Sequence, residues 1–422
     1  MFSSGNLKPK YGKKSFLPLP ATFHQINRRT KLPLIILACL FIWYFLNPFS
    51  FVHHIFYQST TRTSYPKAHP FTSEHVIETT SKYIYPPIEH APTLKELTPQ
   101  KLFIEHTYRV GDENRIKIKS LNAFDDPDVN VQKKKEDEEN KKSELDKAKN
   151  FFKNQDKVVY KGGLANYPEI VIVTAVDFNK YSLDGLTKVV QNRVDYAHLH
   201  NYGVYVRWYQ EFLPMFDDFS ALNDKERAKW VRIYSLKAAM FAFPHAKWFW
   251  YLDQDSLIMN MKTNIEDYML KPSVLDSIML KDQPLIPPNG LIKTYKKAKA
   301  ESVRFILTQS DQKIETNSFL IKNDYIGKMV LDWWSDKLYV QYTGFPYSTD
   351  SSLTHILQWH PFILSKTTIV PTKTIAAGHP FKDTPANAVF KDGDFVAQWS
   401  QCNNPTECES ILDTYYKKLK SL

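Results

Sequence analysis

Several features that identify common classes of protein are missing from this sequence. Three cysteines in 422 residues exclude a small domain held together by disulfides. The chain has no Gly-x-Gly sequence, which excludes the dinucleotide-binding fingerprint, and it has no phosphate-binding P-loop. The Gly-x-Ser-x-Gly and His-Glu-x-x-His motifs are also absent. The composition, 43% apolar and 14% aromatic, is that of one large or two ordinary folded domains with appendages.

Acidic residues are absent from residues 1–73, and the first acid is Glu74. Seven Lys and Arg residues precede residue 32, so this basic arm supplies most of the formal net charge of +10. Positive charge is therefore concentrated in an N-terminal arm and is not spread over a folded surface. This distribution argues against a general polyanion-binding domain, and we expect no nucleic-acid partner.

Residues 32–52 form an apolar run, LPLIILACLFIWYFLNPFSFV, with Arg28, Arg29 and Lys31 on its N-terminal side. About 20 apolar residues span a bilayer core, and the positive flank predicts a cytosolic N-terminus. The long basic region before the run and the lack of a small-x-small cleavage site favour an uncleaved signal-anchor over a cleaved signal peptide. A short span is typical of early secretory membranes, so we predict a type II protein of the endoplasmic reticulum or Golgi.

Behind the predicted anchor, the sequence divides into a spacer and a folded domain. Residues 53–165 are rich in Pro, Ser and Thr and include a charged run, and we interpret them as a lumenal stem. In residues 166–422, β-branched runs alternate with helical periodicity, which predicts an α/β fold: a mostly parallel sheet with helices on both faces. Strands are expected at 169–176, 202–208, 247–252, 302–308, 318–321 and 368–370, and helices at 186–200, 224–243, 324–334 and 350–358.

Two of the three cysteines, Cys402 and Cys408, lie close together near the C-terminus. In the oxidising lumen that the anchor predicts, we expect a local disulfide, with two unpaired thiols as the alternative. The third cysteine, Cys39, lies within the predicted span and is interpreted as an apolar packing residue.

The third predicted strand runs directly into Asp253-Gln254-Asp255. Open α/β sheets bind ligands at the carboxyl ends of their strands, and Mg²⁺ or Mn²⁺ usually joins one or two carboxylates to substrate phosphates. Two further Asp-x-Asp triplets begin at Asp126 and Asp392, but neither follows an apolar strand. We therefore predict a divalent-cation site at Asp253 and Asp255, with a pair of exposed turn carboxylates as the alternative.

Two predicted helices carry a cation within their apolar stripe, Arg193 on the first and Lys237 on the second. A cation that points inward towards a ligand cavity can bind a diphosphate. The alternatives are a side chain that snorkels to solvent or a structural ion pair.

Several motifs resemble glycosyltransferase family 34 of fungi and plants: WFWYLDQDSLIMN, NRVDYAHLHNYGVYVRW, NSFLIKN and GDFVAQWSQC. The segment HILQWHPFILSKTTIVPTKTIAA is most similar to the α-1,6-mannosyltransferase subfamily of the yeast Golgi mannan polymerase complex. The resemblance implies a GT-A fold, Mn²⁺ or another divalent cation as cofactor, and retaining transfer from GDP-mannose. It also implies an N-glycan mannan acceptor and a Golgi hetero-oligomer with other mannosyltransferase subunits.

The resemblance also implies roles for individual residues. Asp253, Asp255 and Gln398 match the family's metal-binding positions, although Gln398 stands where the family has the histidine of His-Phe-Ala-Gly-Cys. Asp350 falls where the family places an acidic residue near the anomeric carbon, and Ser351 replaces the usual glutamine after it. For the donor, the expected contacts are Arg193 and Lys237 to the diphosphate and Asn192 and Tyr196 to the nucleoside.

Two alternatives to an active mannosyltransferase stay open at this point. The departures at Gln398 and Ser351 would suit a structural or acceptor-binding subunit with little turnover of its own. The other alternative is an active transferase that uses a different donor, such as UDP-galactose.

Overall fold

The computed structural model describes residues 63–65, 77–79, 83–86, 88–96, 104–110, 113–119 and 143, and residues 167–421 except 217, 218, 220, 221 and 289. These residues belong to one compact unit, Arg62–Leu422. None of the helices among them has the length and apolarity needed to cross a bilayer. The predicted anchor at 32–52, Cys39 and most of the predicted stem lie outside the described residues.

The described strands and helices are named here in chain order. The strands are β1 (Thr63–Tyr65), β2 (Ile77–Thr79), β3 (Tyr83–Ile84), β4 (Ile104–Val110), β5 (Glu113–Lys119), β6 (Ile170–Val176), β7 (Gly203–Trp208), β8 (Trp248–Leu252), β9 (Ser256–Ile258), β10 (Phe305–Gln309), β11 (Ile314–Lys322), β12 (Thr367–Ile369), β13 (Ala377–Gly378) and β14 (Val396–Gln398). The α-helices are α1 (Ala91–Lys95), α2 (Leu183–His200), α3 (Asp224–Ala242), α4 (Pro272–Ile278), α5 (Tyr325–Trp334), α6 (Lys337–Gln341), α7 (Thr349–Trp359), α8 (Pro361–Leu364) and α9 (Pro405–Ser421). Short 3₁₀ helices lie at Ile88–His90, Tyr209–Phe216, Ala300–Ser302 and Thr372–Thr374, and a π-helical turn at Glu266–Leu270.

In the described part of the chain, the core is a seven-stranded sheet with the order β12-β10-β11-β8-β6-β7-β3. β11 is antiparallel to β10 and β8, and the other strands run in one direction. The central strand β6 is buried along its whole length, as expected for a parallel strand covered on both faces. The predicted α/β class with a mostly parallel sheet is confirmed, and each element predicted between 169 and 370 is present with bounds within four residues.

Helices cover both faces of this sheet. α2 buries Leu186 and Val190 against one face, where α9 also packs, and α3 buries Ile233 and Leu236 against the other. α2 begins after Ser182, whose hydroxyl accepts a hydrogen bond from the backbone of the first turn. The two helices therefore flank the sheet as the periodicity predicted.

One edge strand of the sheet comes from the region interpreted as the stem. β3 pairs in parallel with β7, with Tyr83 beside Val204. Ile88 and Leu94, which follow β3, are buried in the same core as α2. Folded structure thus begins earlier than the predicted boundary at residue 166. The Pro and Thr residues around Ile88 and Leu94 are typical of a linker. For that reason the sequence did not predict that these two apolar residues belong to the core.

A second, three-stranded sheet has the order β13-β14-β9 among the described residues. The turn at 253–255 connects β8 to β9, and β14 pairs antiparallel with β9 so that Gln398 lies opposite Ser256. This sheet was not predicted, because its strands are only two or three residues long. It brings the C-terminal Gln398 segment next to the acidic turn.

Replacing Leu94 with Ala is expected to lower the free energy of unfolding by about 2–5 kcal/mol, because it empties a buried position in the core. The matched control is Lys95→Ala at the neighbouring exposed residue, which should change stability by less than about 0.5 kcal/mol. Urea denaturation of the full-length variants, followed by tryptophan fluorescence, measures both. Equal stability of Leu94→Ala and the parent protein would show that this segment is not part of the fold.

Candidate active site

The carboxyl ends of β6 and β8 meet at one edge of the main sheet. Asp177 follows β6, and its backbone amide donates to Gln254 Oε1 at 2.8 Å. The amide of Asp253 donates to the carbonyl of Asn317 in the adjacent β11, also at 2.8 Å. These bonds fix the acidic turn at the edge where open α/β sheets bind ligands.

Asp255 is buried, and both of its carboxylate oxygens have partners. Lys180 Nζ lies 2.6 Å from Oδ2, and the Tyr181 hydroxyl donates to Oδ1 at 2.6 Å. Trp399 Nε1 donates to the Tyr181 hydroxyl at 2.9 Å. Burial, and then the charge of Asp255, raise the pKa of Tyr181 well above its ordinary value. The phenol therefore remains a proton donor to this carboxylate.

Arg232 connects Asp253 to a second buried carboxylate, Asp350. Its guanidinium lies 3.3 Å from Asp253 Oδ2 and 3.7 Å from Asp350 Oδ1, and it donates to the Thr316 hydroxyl. Lys313 Nζ lies 2.5 Å from the other oxygen of Asp350. Acids and cations thus alternate through the cluster, which offsets the cost of burying each charge.

The two carboxylates that share Arg232 differ in protonation behaviour. Burial, and then the negative charge of Asp255, raise the pKa of Asp253. Burial also raises the pKa of Asp350, but Lys313 and Arg232 outweigh it and hold that pKa below its ordinary value. The negative charge of Asp350 is therefore already balanced by Lys313 and Arg232. An added cation would still stabilise the pair Asp253 and Asp255.

A cavity of 830 Å³ opens over this edge of the sheet, a volume typical of small-molecule sites. Asp177, Asp253 and Asp255 line it. Its basic lining residues are Lys180, Lys225, Arg227, Lys229 and Arg232. Burial, and repulsion by nearby cations, lower the pKa of Lys229. An anion in this cavity would relieve that repulsion.

A second cavity, of 610 Å³, shares Ser400 and Gln401 with the first. Its polar lining includes Gln309, Asp311, Lys313, Glu315, Lys373, His379 and Asn387, and Phe381 and Trp399 add apolar surface. Arg232 lines the first cavity and Lys313 the second, so Asp350 stabilises one residue of each.

Comparisons with known proteins identify the family of this chain. Residues 166–409 match the model of the galactosyl transferase GMA12/MNN10 family, glycosyltransferase family 34. The chain is 33% identical over 408 residues to the probable α-1,6-mannosyltransferase MNN11 of Saccharomyces cerevisiae, covering 92% of this chain and 90% of that protein. The chain belongs to glycosyltransferase family 34. The resemblance found in its motifs is confirmed.

Two further proteins are similar over shorter stretches. An α-1,2-galactosyltransferase of Schizosaccharomyces pombe is 29% identical over 238 residues, which is 55% of this chain and 60% of that protein. The solved structure of a glycosyltransferase involved in the glycosylation of the major capsid of PBCV-1 is 16% identical, with a TM-score of 0.38. It matches 58% of this chain and 100% of its own.

Asp350, the acid that the family pattern placed near the reacting carbon, lines neither cavity. It is 1% exposed and lies beneath Lys313 and Arg232. In this structure Asp350 positions those two cations, and a catalytic role for it stays a prediction. Its sequence position at the start of α7 could not show this, because its two partners come from distant segments.

Three residues predicted to contact the donor also lie elsewhere. The side-chain amide of Asn192 donates to the Ile258 carbonyl and accepts from the Ile258 amide, both at 2.9 Å. The Tyr196 hydroxyl donates to a backbone carbonyl at 2.7 Å. Lys237 pairs with Asp332 at 2.8 Å. None of the three lines the 830 Å³ cavity, so the structure does not bring them together with Asp253 and Asp255, and their donor contacts stay predictions.

Arg193 points inward as predicted, but it supports the acidic turn and does not reach the cavity. Its Nη2 donates to the Asp253 carbonyl at 2.8 Å and to Ser256 Oγ at 3.0 Å. Lys237 lies at the half-buried margin of its stripe, in which Trp230 and Ile233 are buried. Phe241, which lies four residues further along the same stripe, is 67% exposed.

Gln398, the third predicted metal ligand, lines the second cavity, and Asp253 and Asp255 line the first. The next residue, Trp399, donates its backbone amide to the Asp255 carbonyl at 2.8 Å, so those two residues are paired. Gln398 itself lies opposite Ser256. Its Oε1 is buried without a hydrogen-bond partner in the described part of the chain.

The described residues contain no cluster of three or more His, Cys, Asp or Glu positioned to hold a metal ion. The chemistry of Asp253 and Asp255 nevertheless fits a hard cation. They are neighbouring like charges at the cavity, and the charge of Asp255 raises the pKa of Asp253. Two carboxylates plus a substrate phosphate form a common site for Mg²⁺ or Mn²⁺.

Cys402 and Cys408 are joined by a disulfide that ties the loop before α9 to the first turn of α9. Both line the 830 Å³ cavity, directly after Ser400 and Gln401. The disulfide therefore limits the movement of the wall that the two cavities share.

Asp177, Lys180, Arg232 and Lys313 were not predicted from the sequence. Asp177 and Lys180 directly follow β6, so the rule that parallel strands end at one edge could have indicated them. Arg232 and Lys313 carry no comparable local signal. Their roles depend on how α3 and the start of β11 meet Asp350.

Replacing Arg232 with Met is expected to lower the free energy of unfolding by about 3–5 kcal/mol, because two buried carboxylates lose their shared cation. Adding Asp350→Asn should recover part of that loss, since it removes one of the stranded charges. Lys225→Met, at an exposed cation on the same helix, is the control. Urea denaturation measures the parent protein, the two single variants, the double variant and the control. Strictly additive effects of Arg232→Met and Asp350→Asn would contradict the linked cluster.

Proposed function

We propose that this chain is a mannosyltransferase that uses GDP-mannose and a divalent cation and forms α-1,6 linkages with retention of configuration. The observation that carries the proposal is the pair Asp253 and Asp255 at the edge of an 830 Å³ cavity with basic walls. The mannosyltransferase name of the relative that matches 92% of this chain supports mannose as the transferred sugar.

In the proposed donor site, Asp253 and Asp255 would hold Mn²⁺ or Mg²⁺, which would supply Lewis-acid stabilisation of a diphosphate leaving group. Lys180 and Lys229 line the same cavity and would bind phosphate oxygens. Arg232 keeps Asp253 in place through its 3.3 Å contact. Asp177 and the apolar residues Tyr209 and Leu213 form the wall available to the nucleoside.

The 610 Å³ cavity is the proposed acceptor site. Its hydrogen-bonding side chains suit sugar hydroxyls, and Phe381 and Trp399 suit the apolar faces of sugar rings. Because Ser400 and Gln401 line both cavities, the acceptor would lie next to the donor.

Glycosyl transfer passes through an oxocarbenium-like state that nearby carboxylates stabilise. Asp177, Asp253 and Asp255 line the first cavity and Asp311, Glu315 and Asp383 line the second, whereas Asp350 lines neither. Asp350 instead holds Lys313 at the acceptor side and Arg232 at the donor side. We expect its replacement to act through these two cations.

The proposed setting is the Golgi lumen, with the chain as a type II membrane protein that acts on N-glycan mannan together with other mannosyltransferase subunits. The apolar run at 32–52 and its basic flank support the anchor. The disulfide between Cys402 and Cys408 supports an oxidising compartment.

A second candidate is an acceptor-binding subunit with little turnover of its own. The position of Gln398 in the second cavity favours this candidate. With Gln398 there, Asp253 and Asp255 would have to hold the cation without a third ligand from β14. In this case the chain would bind mannosides but would not need the acidic turn for its role.

The full-length protein with Mn²⁺ is expected to transfer mannose from GDP-mannose, but not galactose from UDP-galactose, to an α-mannoside acceptor. Asp255→Ala should lower the rate by more than about 100-fold, since even a lost outer partner of a metal ligand typically costs 10–100-fold. Asp392→Ala is the matched control, because it removes a 70% exposed acid from another Asp-x-Asp triplet.

Chelation of divalent cations should stop transfer, and added Mn²⁺ should restore it. Transfer that survives both chelation and Asp255→Ala would contradict the metal-dependent mechanism. A folded parent protein that binds mannosides without any transfer would support the second candidate. Efficient use of UDP-galactose would overturn the assignment of the donor.

A further inference from the structure

Two consecutive hydrogen bonds connect the wall of the second cavity to the acidic turn. Trp399 lines the 610 Å³ cavity, and its Nε1 donates to the Tyr181 hydroxyl at 2.9 Å. That hydroxyl donates to Asp255 Oδ1 at 2.6 Å, and Asp255 lines the 830 Å³ cavity. The proposed donor site gives Asp255 a role but assigns none to the two aromatic residues behind it.

The chemistry of the indole fixes the direction of both hydrogen bonds. An indole N–H can donate but cannot accept, so the Tyr181 oxygen accepts from Trp399 and directs its own proton to Asp255. Hydrogen bonds in such a series polarise one another, which strengthens the bond at the end of the series. The two aromatic residues therefore present a donor to one defined oxygen of Asp255.

The two carboxylate oxygens of Asp255 have different surroundings. Oδ2 lies 2.6 Å from Lys180 Nζ, and Lys180 lines the first cavity with a side chain that is 25% exposed. Oδ1 accepts from Tyr181, which is 3% exposed and does not line that cavity. Tyr181 therefore holds the carboxylate from the protein interior, and Lys180 occupies the side that faces the cavity.

Packing alone does not account for the polar atoms of Tyr181 and Trp399. Both side chains belong to the hydrophobic core, where the Trp399 ring stacks on Tyr415 with centroids 5.5 Å apart and an interplanar angle of 16°. Phenylalanine rings would pack there without any polar atom. A buried hydroxyl or N–H costs free energy unless it is hydrogen-bonded. Here both polar atoms are directed at Asp255, which indicates a role at the acidic turn.

We propose that Tyr181 and Trp399 are positioning residues for the cation: Trp399 orients the Tyr181 hydroxyl, and the hydroxyl orients the Asp255 carboxylate for binding Mn²⁺. This inference rests on the proposed donor site. Outer partners that orient a metal ligand typically contribute 10- to 100-fold to metal affinity. Because Trp399 also lines the second cavity, the same two residues connect the proposed acceptor site to the cation site.

The test measures the Mn²⁺ affinity of the full-length protein from the electron paramagnetic resonance signal of free Mn²⁺. Tyr181→Phe is expected to weaken Mn²⁺ binding by about 10-fold or more. Trp399→Phe keeps an aromatic ring but removes the N–H, and it should weaken binding by about threefold, as expected for one neutral hydrogen bond. The double variant should bind Mn²⁺ no more weakly than Tyr181→Phe alone, because the indole acts only through the hydroxyl.

The matched control is Tyr202→Phe, which removes the hydroxyl of another buried tyrosine, a donor to Asn264 Oδ1 at 2.8 Å, and should leave Mn²⁺ affinity unchanged. GDP affinity measured without Mn²⁺ should also be unchanged in Tyr181→Phe. A variant that merely loosened the cavity would bind both ligands more weakly, so a selective loss of Mn²⁺ affinity separates positioning from a general structural role.

Unchanged Mn²⁺ affinity in Tyr181→Phe would overturn the inference and leave the donor site intact, as would an equal loss in Tyr181→Phe and Tyr202→Phe. If Tyr181→Phe does not fold, Trp399→Phe decides, because unchanged Mn²⁺ affinity in that variant also contradicts the inference. A parent protein that binds Mn²⁺ no better than Asp255→Ala would overturn the proposed cation site, and the inference with it.

Discussion

Carboxylates buried at the carboxyl edge of the main sheet need matching cations, and this constraint organises the whole site. Lys180 balances Asp255, and Arg232 is shared by Asp253 and Asp350. An unmatched charge in such an environment costs several kcal/mol. The partners come from the loop after β6, from α3, from the turn after β8 and from α7. Forming the cluster therefore fixes four separate segments of the chain relative to one another.

The same arrangement would be stabilised by two further charges, one positive and one negative. Asp253 and Asp255 repel each other, which an added cation would relieve, and Lys229 lies among other cations, which an anion would relieve. A divalent cation with a bound diphosphate supplies both in one cavity. The disulfide-closed wall then separates this cavity from the second one, which suits a saccharide. The proposed donor site rests on these two incompletely balanced charges.

Strands β6 and β8 and the acids after β8 could be predicted because each depends on a local pattern, a buried apolar run followed by a turn. The sequence did not predict that Arg232, and not Lys237, contacts the acidic turn, because this depends on which face of α3 meets the sheet. Asp350 and Gln398 matched family positions, but their surroundings come from segments distant in sequence. The edge strand Tyr83–Ile84 was hidden because its burial depends on β7, far along the chain.

Isothermal titration of GDP into the full-length protein, with and without Mn²⁺, tests most directly whether a cation and a diphosphate share the site at Asp253 and Asp255. Mn²⁺ is expected to tighten GDP binding by about tenfold or more, equivalent to about 1.4 kcal/mol, and Asp255→Ala should remove this enhancement. Because the coupling between two ligands is reciprocal, GDP should tighten Mn²⁺ binding by the same factor. Equal GDP affinity with and without Mn²⁺ in the folded parent protein would contradict a shared site.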